Sequence, residues 1–394
     1  MLSIIKLELK KFLKDRKNIA IIFIFIAIIF IFVFKNISCE EDRKLRVMPI
    51  IGEQLEVISR NMDLLSQDPE PDEKAIDYLN KQLELGKKIR RYASSMTKNE
   101  YTLMSTTPMY LQTMISIDKL YIEMINNGYI FKYMKDIKYY KADLEQNTAL
   151  LQQNIQVIDE GCSMEGFNFL RLCLNNIILM IILGVILFIS TESYSSEIQY
   201  KTYKLLYTQP LNKNKIFFGK LISKIIISLV VVSAILTICT VILGITRGFG
   251  NFKYPIQMIV QGEIKIVPLS NYLVRQFILF FFILVFLCVL GTCISMFSKT
   301  ISGAMSSGII ISGLLYMISN AEGLYKLKKF IPFSYFNVFE VLSSRKIVEG
   351  SYEYLESTLS YNTGIVINIV WAIAISLIFS LIIINSRKMK KIVN

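Results

Sequence analysis

Ser195–Lys220, SSEIQYKTYKLLYTQPLNKNKIFFGK, is a basic and aromatic run set between two long apolar segments. Its reading depends on what flanks it. A search outward finds six apolar stretches near the roughly 20 residues that a bilayer requires. They are Ile19 to Phe34, Phe169 to Ser190, Leu221 to Ile245, Tyr272 to Phe297, Ile301 to Ser319 and Gly364 to Ile384. The chain has 394 residues, of which 53% are hydrophobic, a share that points to a membrane rather than to a soluble protein. The expected fold is an all-α integral membrane protein of six transmembrane helices. The first apolar run follows basic residues but is followed by KNISCEEDRK, which offers no small-residue cleavage pattern. It reads as a retained anchor.

The positive-inside rule orients the spans. With the amino terminus inside, the same side collects Lys6, Lys10, Lys11, Lys14, Arg16 and Lys17, then the lysines of the quoted stretch with Lys224, then Lys299, then Arg387, Lys388, Lys390 and Lys391. The implied organisation is a cytoplasmic amphipathic helix at 1–18, span 1 at 19–34, an extracellular helical domain at 35–168, and span 2 at 169–190. A cytoplasmic loop at 191–220 then precedes spans 3–5 at 221–319. Extracellular surface or re-entrant helices follow at 320–363, then span 6 at 364–385 and a cytoplasmic tail at 386–394. Both termini are expected in the cytoplasm of a multi-pass cell-membrane protein. The net charge of +13 is accounted for by basic residues at span ends, which suit lipid phosphates rather than nucleic acid.

In the segment 35–168, apolar residues recur three and four apart in EQLEVISRNMDLLS, EKAIDYLNKQLELGKKIRRYASSM and DLEQNTALLQQNIQVIDE, predicting helices. Asp72 is placed to cap the second of these. Cys39 and Cys162 sit at the two ends of the domain. An oxidising exterior would permit a disulfide between them, and two free thiols in a reducing habitat are the alternative. At the amino terminus, Leu2, Ile5, Leu9, Phe12 and Leu13 alternate with lysines as in an interfacial helix.

Catalytic signals are few. The chain contains no histidine, which excludes His-based metal sites, triads and proton relays. No metal site is expected. Gly219-Lys220 lacks the preceding glycine and following hydroxyl of a phosphate loop. Arg171, Glu192 and Arg275 fall at span ends, within reach of the interface. Asn175 and Asn176 are the main polar residues at depth, and with Phe333, Tyr335 and Phe336 they are the candidates for a substrate pathway. Pro332 and the crowded aromatics after it predict short helices at the outer surface or dipping into it.

These features together resemble the type-2 ABC exporter permeases, and the quoted stretch carries the sharpest resemblance. Glu197, Thr202, Leu205, Leu206, Pro210, the turn LNKNK and Gly219-Lys220 stand where that family has an acidic residue, a Gly-Thr pair, leucines, a proline, a basic turn and a Gly-Lys pair. Lys201 occupies the family's glycine position. Lysine is the better helix former, so a helix is expected to run from Thr191 to Tyr207. The large domain after span 1 is similar to that of permeases in Gram-positive peptide or antibiotic export and immunity systems. The resemblance implies an exporter subunit with no catalytic residues and no bound cofactor, with ATP and Mg held by a separate ATP-binding-cassette subunit. It implies a second permease copy, identical in a homodimer or related in a heterodimer. It also implies a coupling helix at 191–220 in which Tyr203, Leu206 and Tyr207 are the docking knob, with Glu197, Thr202, Leu205 and Pro210 around it. Amphipathic substrates, such as an antimicrobial peptide, an antibiotic or a lipid, suit spans without charge. The related mechanotransmitting permeases, which act on an external or sensor partner, are the alternative.

Overall fold

The computed structural model describes residues 2–66, 72–94, 108–130, 134, 136–158, 160–202, 212–260, 263–319, 321, 327–343, 345–348, 351–354 and 359–385. Six of its helices are long and apolar enough to cross a membrane. The chain starts with α1 (Leu2–Lys14), whose Ile4, Glu8 and Phe12 form one buried row at four-residue spacing. Asp15 breaks the helix, and its carboxylate accepts from the Lys17 amide (3.0 Å) as the next helix starts.

That helix, α2 (Arg16–Ser66), is 51 residues long. The expected boundary at residue 35 is therefore not a break. The apolar run and the polar, periodic run that follows form one helix, which continues through Pro49. Helix α3 (Glu73–Ser94) packs against its far part, α4 (Pro108–Asn126) packs against α3, and α5 (Ile137–Gln152) packs against α4. Asp72 caps α3 by accepting from the amides of Lys74 (3.0 Å) and Ala75 (3.1 Å). Leu55 and Ile58 of α2 close on Leu79 of α3, while Tyr78 meets Leu120 and Met124 of α4. Cys39 and Cys162 are joined as a disulfide, with Cα atoms 6.1 Å apart.

The second span is interrupted. Helix α6 (Gly166–Cys173) stops, Leu174 and Asn175 turn, and α7 (Asn176–Gln199) resumes. The third span is α8 (Lys213–Arg247), followed by an antiparallel hairpin of β1 (Pro255–Val260) and β2 (Glu263–Pro268). The fourth and fifth spans are α9 (Leu269–Phe297) and α10 (Ile301–Ser319). The chain ends in α11 (Val338–Ser343), a second hairpin of β3 (Arg345–Val348) and β4 (Ser351–Tyr354), and α12 (Tyr361–Asn385). The architecture is helical, as expected, with two small hairpins that the hydropathy pattern does not reveal.

The main core lies where α7 crosses α9. Ile182, Ile186, Ile283 and Leu284 are among its most buried members. Small residues set the spacing: a Cβ on Gly291 of α9 would collide with Ser190, and Gly308 of α10 lies against Thr191 and Leu187 of α7. The start of α6 is tied to the chain just past α8 by backbone pairs, Gly166 N–H to Gly248 O and Phe167 N–H to Phe249 O, each at 3.0 Å.

The expected pathway aromatics are core residues in this chain. Phe333, Tyr335 and Phe336 are buried, with Phe333 and Phe336 edge-on to Phe286 of α9 at 5.5 and 6.4 Å between ring centroids. Phe286 lies 17 residues into α9, about 25 Å along it. The segment therefore packs against the middle of the fourth span. Arg171 likewise does not reach an interface. It is buried, bonds Asn168 Oδ1 (2.9 Å) and the Glu160 carbonyl, and lies 3.8 Å from the Glu160 carboxylate.

Candidate coupling site on the terminal side

A lysine entering an apolar helix must either reach water or find partners. Lys220 finds partners: its side chain is 0% exposed. An ammonium has three N–H donors, and each of the three is accepted. The acceptors are Glu8 Oε1 of α1 (3.1 Å), the Ser193 carbonyl of α7 (3.0 Å) and Glu197 Oε1 of α7. The ring of Tyr194 lies 4.8 Å from the ammonium, within cation–π range. Lys224, one turn along α8, adds a second cation 3.6 Å from Glu8 Oε2.

Three elements thus meet on one charge. Glu8 comes from α1, Glu197 from the last turn of α7 and Lys220 from the start of α8. Burial pushes the Glu8 carboxyl up, but Lys220, Lys224 and Lys11 more than offset it and bring it down to about 2. Two contacts extend the seam: Lys11 Nζ donates to Ser196 Oγ (2.8 Å), and Lys17 Nζ bonds Glu192 Oε1 (2.7 Å). Glu192 is therefore buried and paired rather than free at an interface.

Gly219 explains why α1 can come so close. A Cβ there would lie 3.2 Å from Cγ2 of Ile4, which shares the buried row with Glu8. The Gly-Lys pair has two separate roles: glycine admits the helix and lysine holds its carboxylate.

The expected helix from Thr191 to Tyr207 ends early. Its last residue is Gln199, and Lys201 has φ +58°, the left-handed region. The amides of Lys201 and Thr202 bond back to the carbonyls of Ile198 (3.2 Å) and Glu197 (3.0 Å). This is a Schellman stop, in which the left-handed position is the one glycine favours. The helix is stopped by the backbone at Lys201, so lysine's helix propensity does not extend it. Thr202 is exposed. Tyr203, Leu205, Leu206, Tyr207 and Pro210 lie outside the described residues.

Glu197, expected beside the docking knob, is buried with its carboxylate turned inward to Lys220. Its place in the motif is structural: Glu197 and Lys220 close the base of the intervening loop. Gln199 ties that base to the next turn, its Oε1 accepting from the Ile301 amide (2.8 Å). From sequence, Lys224 counts only as a charge that orients the spans, and nothing assigns a site role to Glu8, Ser193 or Lys224. Glu8 alone left a signal, as the only acid on the Ile4–Phe12 face of a lysine-rich helix.

Of the remaining candidates, Asn175 is buried at the interruption of the second span, and the side chain of Asn176 lies outside the description. Among the described residues, no cluster of three or more acidic, cysteine or histidine side chains could hold a metal ion.

Comparison with known proteins gives one family match. The model of a family described as ABC-2 family transporter protein matches residues 2–387. No curated protein and no solved structure matches the chain.

Proposed function

The chain belongs to the ABC-2 transporter family, and as a permease subunit of an ABC transporter we propose that it exports an amphipathic substrate, driven by a separate ATPase docked on the loop between Glu197 and Lys220. The observation that carries this reading is the buried clamp of Glu8, Glu197 and Lys220. A loop whose two ends are fixed to each other and to α1 can pass a push from its tip into α7 and α8 together. An unclamped loop would absorb it. The loop sequence offers Tyr203, Leu206 and Tyr207 as the kind of aromatic and aliphatic anchors that dominate interfaces. On this reading the terminal side is cytoplasmic, and the domain of α3–α5 is extracellular, where an oxidising medium suits the Cys39–Cys162 pair.

The test is co-purification with an ATP-binding-cassette ATPase subunit co-expressed with this chain. Replacing Tyr203, Leu206 and Tyr207 by aspartate should abolish the complex while leaving the chain folded. A complex of unchanged affinity overturns the docking face.

One observation favours a second reading, a mechanotransmitting permease. The first span continues without a break into the part of α2 that packs against α3. Motion on the terminal side would therefore reach the domain directly. Vectorial movement of substrate in reconstituted vesicles separates the two, because a pure mechanotransmitter moves none.

A further inference from the structure

The interruption of the second span leaves polar atoms without partners inside the bundle. Asn175 is extended (φ −122°, ψ 150°) at the start of α7, where an asparagine side chain ordinarily accepts a first-turn amide. Here it makes no such bond. It is 3% exposed, and neither its Oδ1 nor its Nδ2 has a hydrogen-bond partner among the described residues. From α9, Gln276 reaches the same break. Its Nε2 donates to the carbonyls of Arg171 (2.9 Å) and Leu174 (3.5 Å). Two carbonyls fix which end of the amide faces them, so Oε1 is the atom turned away, and it too is unpartnered in a fully buried side chain.

The break is deep. Gly166 of α6 bonds to Gly248, just past the end of α8, and Asn175 lies nine residues further in, about 13 Å along a helix. Gln276 is seven residues into α9, about 10 Å. The surroundings are apolar: Cys173, Leu174 and Leu179 are all fully buried. The nearby cation, Arg171, is already held by Asn168 and Glu160. Buried polar atoms are seldom left unpaired, and non-helical backbone at membrane depth ordinarily lines a binding site or a wet cavity.

We propose that this break is a binding notch for a neutral amide, the backbone of an apolar peptide. The two free oxygens, Asn175 Oδ1 and Gln276 Oε1, call for N–H donors, and Asn175 Nδ2 calls for a carbonyl. The first turn of α7 adds N–H groups that have no intrahelical acceptor. An amide supplies both kinds of group without charge. A carboxylate would face two oxygens, and an ammonium would meet the positive end of α7. This deepens the export reading above by naming a substrate class, and it rests on that reading for the notch to lie on a transport route.

The test uses the full chain in lipid nanodiscs without its ATPase. The probe is a capped tri-leucine amide with a diazirine in its central side chain, compared with the same peptide N-methylated on every backbone nitrogen. Labelling should map to the residues around Leu174–Ile178 and Gln276–Leu279. Unlabelled parent peptide should compete at least about tenfold better than its N-methylated form, and Asn175→Leu should remove that preference. Absence of label from these segments overturns the proposal. So does equal competition by the two peptides on the unaltered chain, which would mean that the break holds water only, and so does a preference that survives in Asn175→Leu. If labelling follows expectation but apolar peptides neither stimulate ATP hydrolysis by the assembled transporter nor cross the vesicle membrane, the export reading falls and the notch stands.

Discussion

Replacing Lys220 by methionine removes the cation that Glu8 and Glu197 share. The methionine fills nearly the same volume among the same neighbours, so the effect is electrostatic. Glu197 loses its ion-pair partner, and Glu8 keeps Lys224 at 3.6 Å with help from Lys11. Breaking one partner out of a buried ion pair costs about 3–5 kcal/mol. The carboxyl of Glu8 gives a similar figure. Its net descent from 4.5 to about 2, with burial pushing the other way and Lys220 the foremost of the cations pulling it down, corresponds to about 3 kcal/mol. Because α1 is held to the bundle through this charge, the loss should show as release of α1. At about 1.4 kcal/mol per decade, amide exchange in Leu2–Lys14 should quicken by about two to three and a half orders of magnitude, read by mass spectrometry in nanodiscs. Adding Glu8→Gln and Glu197→Gln removes the two carboxylate charges as well and should restore most of the protection. Exchange in Lys220→Met within about threefold of the parent would refute the reasoning, as would a triple variant no better protected than the single one.

Three further outcomes follow from the same region. The Glu8 carboxyl is depressed in the folded chain, so its contribution is complete above 4.5 and is lost as pH falls toward 2; α1 protection should be flat from pH 8 to about 5 and fall below that. Gly219→Val sets a branched side chain where a single Cβ already meets Ile4 at 3.2 Å, so α1 should lose about 1–3 kcal/mol of docking and become cleavable by trypsin at Lys6, Lys10 and Lys11. Lys201→Gly relieves a left-handed lysine, and the net gain of about 0.5–1 kcal/mol should slow exchange of the Lys201 and Thr202 amides by about two- to fivefold.

Span number and the helical character of the α3–α5 domain are legible in the sequence because both depend on periodicity and length, which every residue reports. The ends of elements depend on single residues and are less legible. The stop after Gln199 is made by backbone geometry at Lys201, and lysine's propensity points the other way. The interruption at Leu174–Asn175 disappears in any hydropathy average, although an asparagine pair in an apolar run was a visible signal. The β1–β2 hairpin was overshadowed by the spans on either side, yet PIQMIV and EIKIVP around a Gln-Gly pair are rich in β-branched residues. Counting Lys220 and Lys224 as solvated positive charges gave a consistent orientation, but their burial depends on Glu8, more than 200 residues earlier. Long-range pairing of this kind leaves no local pattern.

The disulfide acquires a mechanical meaning from the helix it holds. Cys39 is pinned to Cys162 partway along α2, 23 residues from Arg16 and ten from Pro49. At 1.5 Å per residue, these are arms of about 35 Å and 15 Å about a fixed fulcrum. A tilt of about 5° would swing the terminal end by about 3 Å and Pro49 by little more than about 1 Å in the opposite sense, on the geometry of a straight helix. On that geometry a tilt about the disulfide would be larger at the terminal end of α2 than at Pro49.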